Sequence, residues 1–197
     1  VSNDSNQALS LDGLKNSHPI EATINDPSEI RELFDVISYS KGGAILRMLE
    51  EFLGEERFRE GLHLYLTNHQ YNNAETKDLW AALEKTSGQP VTTIMNSWIK
   101  QTGYPLLSLE RLVRDGETHL KFTQRRFLYD HLDAHKGTED GSVWQIPIGI
   151  VKSGTSERIS LLLKKMNGEK SIGKNIDPQQ WIKVNCEQTG FYRVQYP

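Results

Sequence analysis

The run VTTIMNSWIKQTGYPLLSLERLVR, residues 91–114, contains the change of pattern on which the fold turns. In its first part Val91, Ile94, Met95, Trp98 and Ile99 recur every three or four residues, which places them on one face of a helix. Pro90 suits the first turn, where its missing N–H leaves nothing unpaired, and Gly103 and Pro105 stop the helix. From Leu106 the pattern becomes strand-like. Leu107, Leu109 and Leu112 lead to Asp115 and Gly116, a pair that favours a tight hairpin turn, and Leu120 and Phe122 follow on the returning strand.

The contrast extends in both directions. Upstream, Asp26 is placed to cap a helix with Pro27 in its first turn and Glu29 reaching back to the cap, running to about residue 37. Ile45, Leu46, Leu49, Phe52 and Leu53 form a second stripe, which Gly54 would end in a left-handed cap. Phe58, Leu62, Tyr65 and Leu66 form a third, and Leu79, Trp80 and Leu83 a fourth that begins near Thr76 and stops at Ser87 and Gly88. Short connections imply antiparallel neighbours. Downstream, residues 143–151, 159–163, 181–184 and 191–196 read as strands, separated by turn-rich Ser153-Gly154 and Asn167-Gly168, and residues 128–141 read as an exposed loop. The expectation is a segregated α+β chain: an N-terminal antiparallel helical domain over 1–102, followed by a small β-sandwich over 103–197.

With 37% hydrophobic and 25% charged residues, the 197-residue chain has a globular composition and can bury a core in one large domain or two ordinary ones. Its net charge is −3 and its basic residues are scattered, so neither nucleic acid nor an anionic membrane is an expected partner. Cys186 is the only cysteine, which excludes an internal disulfide and a thiolate metal cluster and fits a reducing compartment such as the cytoplasm. No apolar run approaches the roughly 18 residues of a membrane span, and the polar start is not signal-like. A beginning at Val1 and an ending at Tyr196 and Pro197 read as a piece of a longer chain.

The most specific chemistry lies in FDVISYSKGG, residues 34–43. A phenol at Tyr39, just ahead of Lys41, Gly42, Gly43 and an amphipathic helix, can be held rigidly at the edge of a cleft. On spacing alone such a tyrosine is ordinarily a packing residue whose hydroxyl meets a carbonyl or water. The chemical alternative is a hydrogen bond donated to the oxyanion that forms when water attacks a peptide carbonyl, worth roughly 10²- to 10³-fold in rate. Lys41 reads as a helix-start lysine paired with a nearby carboxylate. Gly42 and Gly43 cost helix stability, which close approach to another helix or to a cleft would explain. His131 and His135 have a metal-ligand spacing but sit in a loop-like segment, and His63 and His69 do not share a helical face. Glu50, Glu51, Glu55 and Glu56 read as a solvated face.

Several segments, in order, resemble the zinc aminopeptidases of the aminopeptidase N family, the gluzincin metallopeptidases. They are Ser17-His18-Pro19-Ile20, residues 34–43, Leu53-Gly54-Glu55-Glu56 with Phe58 and residues 61–66, Asp78-Leu79-Trp80, Met95-Asn96-Ser97-Trp98, and Gly103-Tyr104-Pro105. In the second half the resemblance rests on Trp144, Pro147, Trp181, Gly190, Phe191 and Tyr192. It implies that Tyr39 is the tyrosine that stabilises the tetrahedral oxyanion in a peptide-hydrolysing enzyme. The family's His-Glu-x-x-His zinc motif and its later Glu are missing here, so the zinc ligands are expected outside this chain, in the rest of the parent aminopeptidase, and the chain alone is expected to be inactive. The resemblance also brings His18 and Phe34 near the substrate cleft, although both are ordinarily loop and packing residues. The alternative is a noncatalytic helical and β-sandwich module for docking or assembly, with Tyr39 in its core.

Overall fold

Helices reach as far as Ile99 and strands begin at Pro105, which makes the chain an α+β fold with the two kinds of element segregated. The computed structural model describes residues 2–22, 35–131 and 141–197. Helix α1 spans Ser2–Asp12, and a π-helical turn at Ile37–Lys41 leads directly into α2, Gly42–Leu53. Helices α3, Glu55–Asn68, α4, Thr76–Ser87, and α5, Val91–Ile99, follow. The polar start of the chain gives no helical signal, yet α1 forms because Ala8 and Asp12 are both buried against the rest. Of the helix expected over 26–37, residues 26–34 lie outside those described, and its described end feeds the π turn.

Gly54 alone separates α2 from α3. It adopts φ 88° and ψ 145° rather than the left-handed cap expected from the sequence, a conformation open only to glycine that redirects the chain within one residue. Glycine has a different use at Gly61, where a Cβ would meet Leu83 Cδ2 at 2.6 Å, so α3 and α4 cross in close contact.

Strands β1, Pro105–Arg114, and β2, Glu117–Arg126, form the expected hairpin, with Asp115 and Gly116 both at positive φ as its tight turn requires. They are followed by β3, Ile146–Lys152, β4, Ile159–Leu163, β5, Asn167–Lys174, β6, Ile182–Val184, and β7, Arg193–Gln195. One sheet has the order β5-β2-β1-β7 and the other β4-β3-β6; among the described residues only the β1–β7 pairing is parallel. Strand β5 corrects the sequence expectation of a turn at Asn167 and Gly168. Its only buried residue is Ile172, so it shows no alternation, and it is an edge strand made by antiparallel pairing with β2.

One apolar cluster runs from Ile45, Leu49 and Trp98 in the helices to Leu107, Phe122, Ile148 and Val184 in both sheets. Polar side chains fix this junction. The Trp98 indole donates to Gln145 O at 2.9 Å, with its ring 6.3 Å from that of Trp144. The buried Gln124 amide donates to Trp144 O and Lys165 O, both at 2.9 Å, and accepts from Trp144 N. Burial of such an amide is tolerated because its hydrogen-bonding capacity is met.

Candidate functional site

Tyr39 sits at the middle of the π turn, and the residues on either side explain how it is held there. Ile37 and Lys41, four apart, both turn inward, so Tyr39, two residues from each, faces outward with 66% of its surface exposed. A π turn carries one residue more than an α turn and is frequent at functional positions. Here it is braced from both ends. On the N-terminal side the Asp35 carboxylate accepts the Ser38 N–H at 3.0 Å, and the Asp35 carbonyl accepts the Tyr39 N–H at 3.2 Å. On the C-terminal side Lys41 is fully buried, its ammonium 2.9 Å from Asp12 Oδ2, 3.0 Å from Gly103 O and 3.3 Å from Gln101 O. The Phe191 ring lies 5.9 Å from the same nitrogen.

The carboxylate expected beside Lys41 is therefore Asp12, equally buried, which also accepts from Ser17 Oγ at 2.5 Å and from Gly103 N at 3.0 Å. Burial pushes the Lys41 pKa below its ordinary value, and the Asp12 charge opposes that shift. Nothing in the sequence pattern singles out Asp12, because α1 lacks the apolar stripe that would mark it as packed.

Tyr39 lines a cleft of about 710 Å³ whose wall includes Gly43, Leu46, Arg47, Phe58 and Leu79. Among the described residues, a Cβ at Gly42 or Gly43 would have nothing within 4 Å. Close packing against the described helices therefore does not account for the two glycines; Gly43 borders the cleft beside the phenol. Phe34 and His135 lie outside the described residues, and Tyr129–His131 form a single 3-10 turn. His69 follows the last residue of α3, its ring 5.4 Å from that of Tyr65.

His18 approaches the same turn. Its Nε2 is 2.9 Å from Asp35 Oδ2 and its Nδ1 is 2.9 Å from Pro19 O. Both partners are acceptors, so only the imidazolium, with a proton on each nitrogen, satisfies both. Burial alone would lower the His18 pKa, but the Pro19 carbonyl and the Asp35 carboxylate outweigh it and raise the value above 6.5. Burial alone would raise Asp35, but the Ser38 N–H and His18 outweigh it and hold the carboxyl below 3.8. A raised imidazole stabilises the fold fully below 6.5, and the contribution is lost as pH rises through its folded value. A depressed carboxylate does the reverse, contributing above 3.8 and losing its effect as pH falls through its folded value. The pair thus stabilises between these limits. Melting temperatures measured from about pH 6 to about pH 8 are expected to fall more for the parent than for Asp35→Asn. Parallel curves for the two proteins would remove the pair as the source.

Among the described residues, no three of His, Cys, Asp and Glu come together so as to hold a metal ion. These residues therefore do not fit a zinc ion. Among the same residues no helix is long and apolar enough to cross a membrane.

The chain thus presents an exposed tyrosine, braced from both ends of its turn, on a helical part with strands packed behind it. Residues 1–98 match the family model described as the peptidase family M1 domain. The chain is 41% identical to Aminopeptidase M1 of Arabidopsis thaliana over 98% of its own length and 22% of that protein's. It is 42% identical to Tricorn protease-interacting factor F2 of Thermoplasma acidophilum over 100% of its length and 22% of the relative's. With Puromycin-sensitive aminopeptidase of Caenorhabditis elegans the values are 41%, 95% and 20%. The chain belongs to peptidase family M1. It spans about a fifth of the length of the curated relatives it matches.

Proposed function

We propose that this chain is part of a zinc aminopeptidase that removes N-terminal residues from peptides, and that Tyr39 donates a hydrogen bond to the oxyanion formed at the scissile carbonyl. The observation that carries the reading is the placement of Tyr39: exposed on the wall of a cleft, on a turn whose two ends are both tied down. A donor held in advance stabilises developing charge without reorganising at the moment of reaction, which is where such groups gain their effect. The M1 match and the aminopeptidase names of two of the relatives supply the reaction class. Residues 1–102 would form the helical rear of the catalytic domain and 103–197 the β-sandwich that follows it. The zinc ligands, and most of the pocket that selects the N-terminal residue, then belong to the remainder of the parent chain.

This division of labour has a direct test. The isolated chain, incubated with zinc and a fluorogenic aminoacyl substrate, is expected to give no turnover above the blank. Turnover that rises in proportion to the amount of this chain would show that it holds a complete site.

A further inference from the structure

We propose that His18 is a positioning residue for Tyr39: by holding the Asp35 carboxylate it fixes the turn from which the phenol is presented. The proposal rests on the role given to Tyr39 above. Three successive contacts make the connection. His18 Nε2 donates to Asp35 Oδ2 at 2.9 Å; the other oxygen of that carboxylate accepts the Ser38 N–H at 3.0 Å; the main-chain carbonyl of Asp35 accepts the Tyr39 N–H at 3.2 Å. One residue thus binds two consecutive N–H groups of the π turn, and His18 sets the rotation of its carboxylate.

The loop that carries His18 is itself anchored on both sides. Ser17 Oγ donates to Asp12 Oδ1 at 2.5 Å, and Glu21 N donates to Ile99 O at 2.9 Å, the last residue of α5. Asp12 is also the partner of Lys41, two residues beyond Tyr39. The contacts therefore close a ring, from Asp12 through Ser17, His18 and Asp35 to the Tyr39 turn and back through Lys41 to Asp12. A closed ring of this kind has a use beyond stability, because an oxyanion donor loses its effect when displaced by about an ångström, a shift that can cost up to roughly 10²-fold in rate. Among the described residues His18 is not part of the cleft wall, and its contact with the turn is made through Asp35.

The test uses the full-length enzyme and four variants: His18→Leu, His18→Gln, Tyr39→Phe and the double variant His18→Leu with Tyr39→Phe. His18→Leu is expected to lower kcat about tenfold with KM within about twofold, since a misplaced transition-state donor affects the chemical step and not peptide binding. His18→Gln, which keeps an N–H within reach of Asp35, is expected to recover part of the loss. The double variant is expected to be no slower than Tyr39→Phe alone, because His18 has nothing to position once the hydroxyl is gone. If His18→Leu loses its cooperative melting transition, Asp35→Asn takes its place; it keeps the acceptor for Ser38 and removes the charge that His18 meets. Losses that add in the double variant, or an unchanged kcat for His18→Leu or Asp35→Asn, would overturn the proposal while leaving Tyr39 in its role. Normal turnover by Tyr39→Phe would overturn both.

Discussion

Tyr39→Phe in the full-length enzyme is expected to lower kcat by roughly 10²- to 10³-fold while KM changes little. The substitution removes a single oxygen and leaves the ring. An interaction made only in the transition state is lost without loss of ground-state binding, so kcat and kcat/KM fall together. Stability should hardly move. With the side chain 66% exposed, the ring gives up little packing when its hydroxyl is removed, and surface changes of this kind usually stay within about 0.5 kcal/mol. Steady-state kinetics on peptide substrates together with a urea titration separate the two effects. Equal turnover by the variant and the parent would make Tyr39 an ordinary surface tyrosine with no part in the reaction; the core position that the docking-module alternative gave it does not agree with its exposure.

The parts of this fold that could be read in advance are those with a strong local period. Val91 to Ile99 and Ile45 to Leu53 carry clear apolar stripes and form helices α5 and α2; the β1–β2 hairpin is announced by Asp115 and Gly116. Strand β5 and helix α1 could not be read, because each owes its existence to a partner elsewhere in the chain and not to its own pattern. β5 is held by β2, and α1 ends in a buried aspartate that needs Lys41. The same distinction applies to the candidate site. Tyr39 was visible from the residues beside it and the family they resemble. His18 meets Asp35, and Asp12 meets Lys41, across separations that no short-range spacing reveals, and only the fold shows that these pairs gather around one turn.

Lys41→Met is expected to destabilise the protein by about 3–5 kcal/mol, measured as the shift in the urea unfolding transition. Methionine has nearly the length of lysine, so the cost does not come from a cavity. It comes from Asp12, whose carboxylate is fully buried and would lose the only cation within 4 Å of it among the described residues. The carbonyls of Gln101 and Gly103 lose their donor in the same step, just where the helices pass into β1. Adding Asp12→Leu removes the stranded charge, so the double variant should be more stable than the sum of the two single losses allows, with a coupling of about 0.5–3 kcal/mol. It should not regain the parent's stability, because Asp12 also accepts from Gly103 N and Ser17 Oγ, and leucine leaves both donors without that partner. Strict additivity would mean that Lys41 and Asp12 contribute through their separate carbonyl and N–H contacts alone. The ion pair would then have no part in tying the Tyr39 turn to α1.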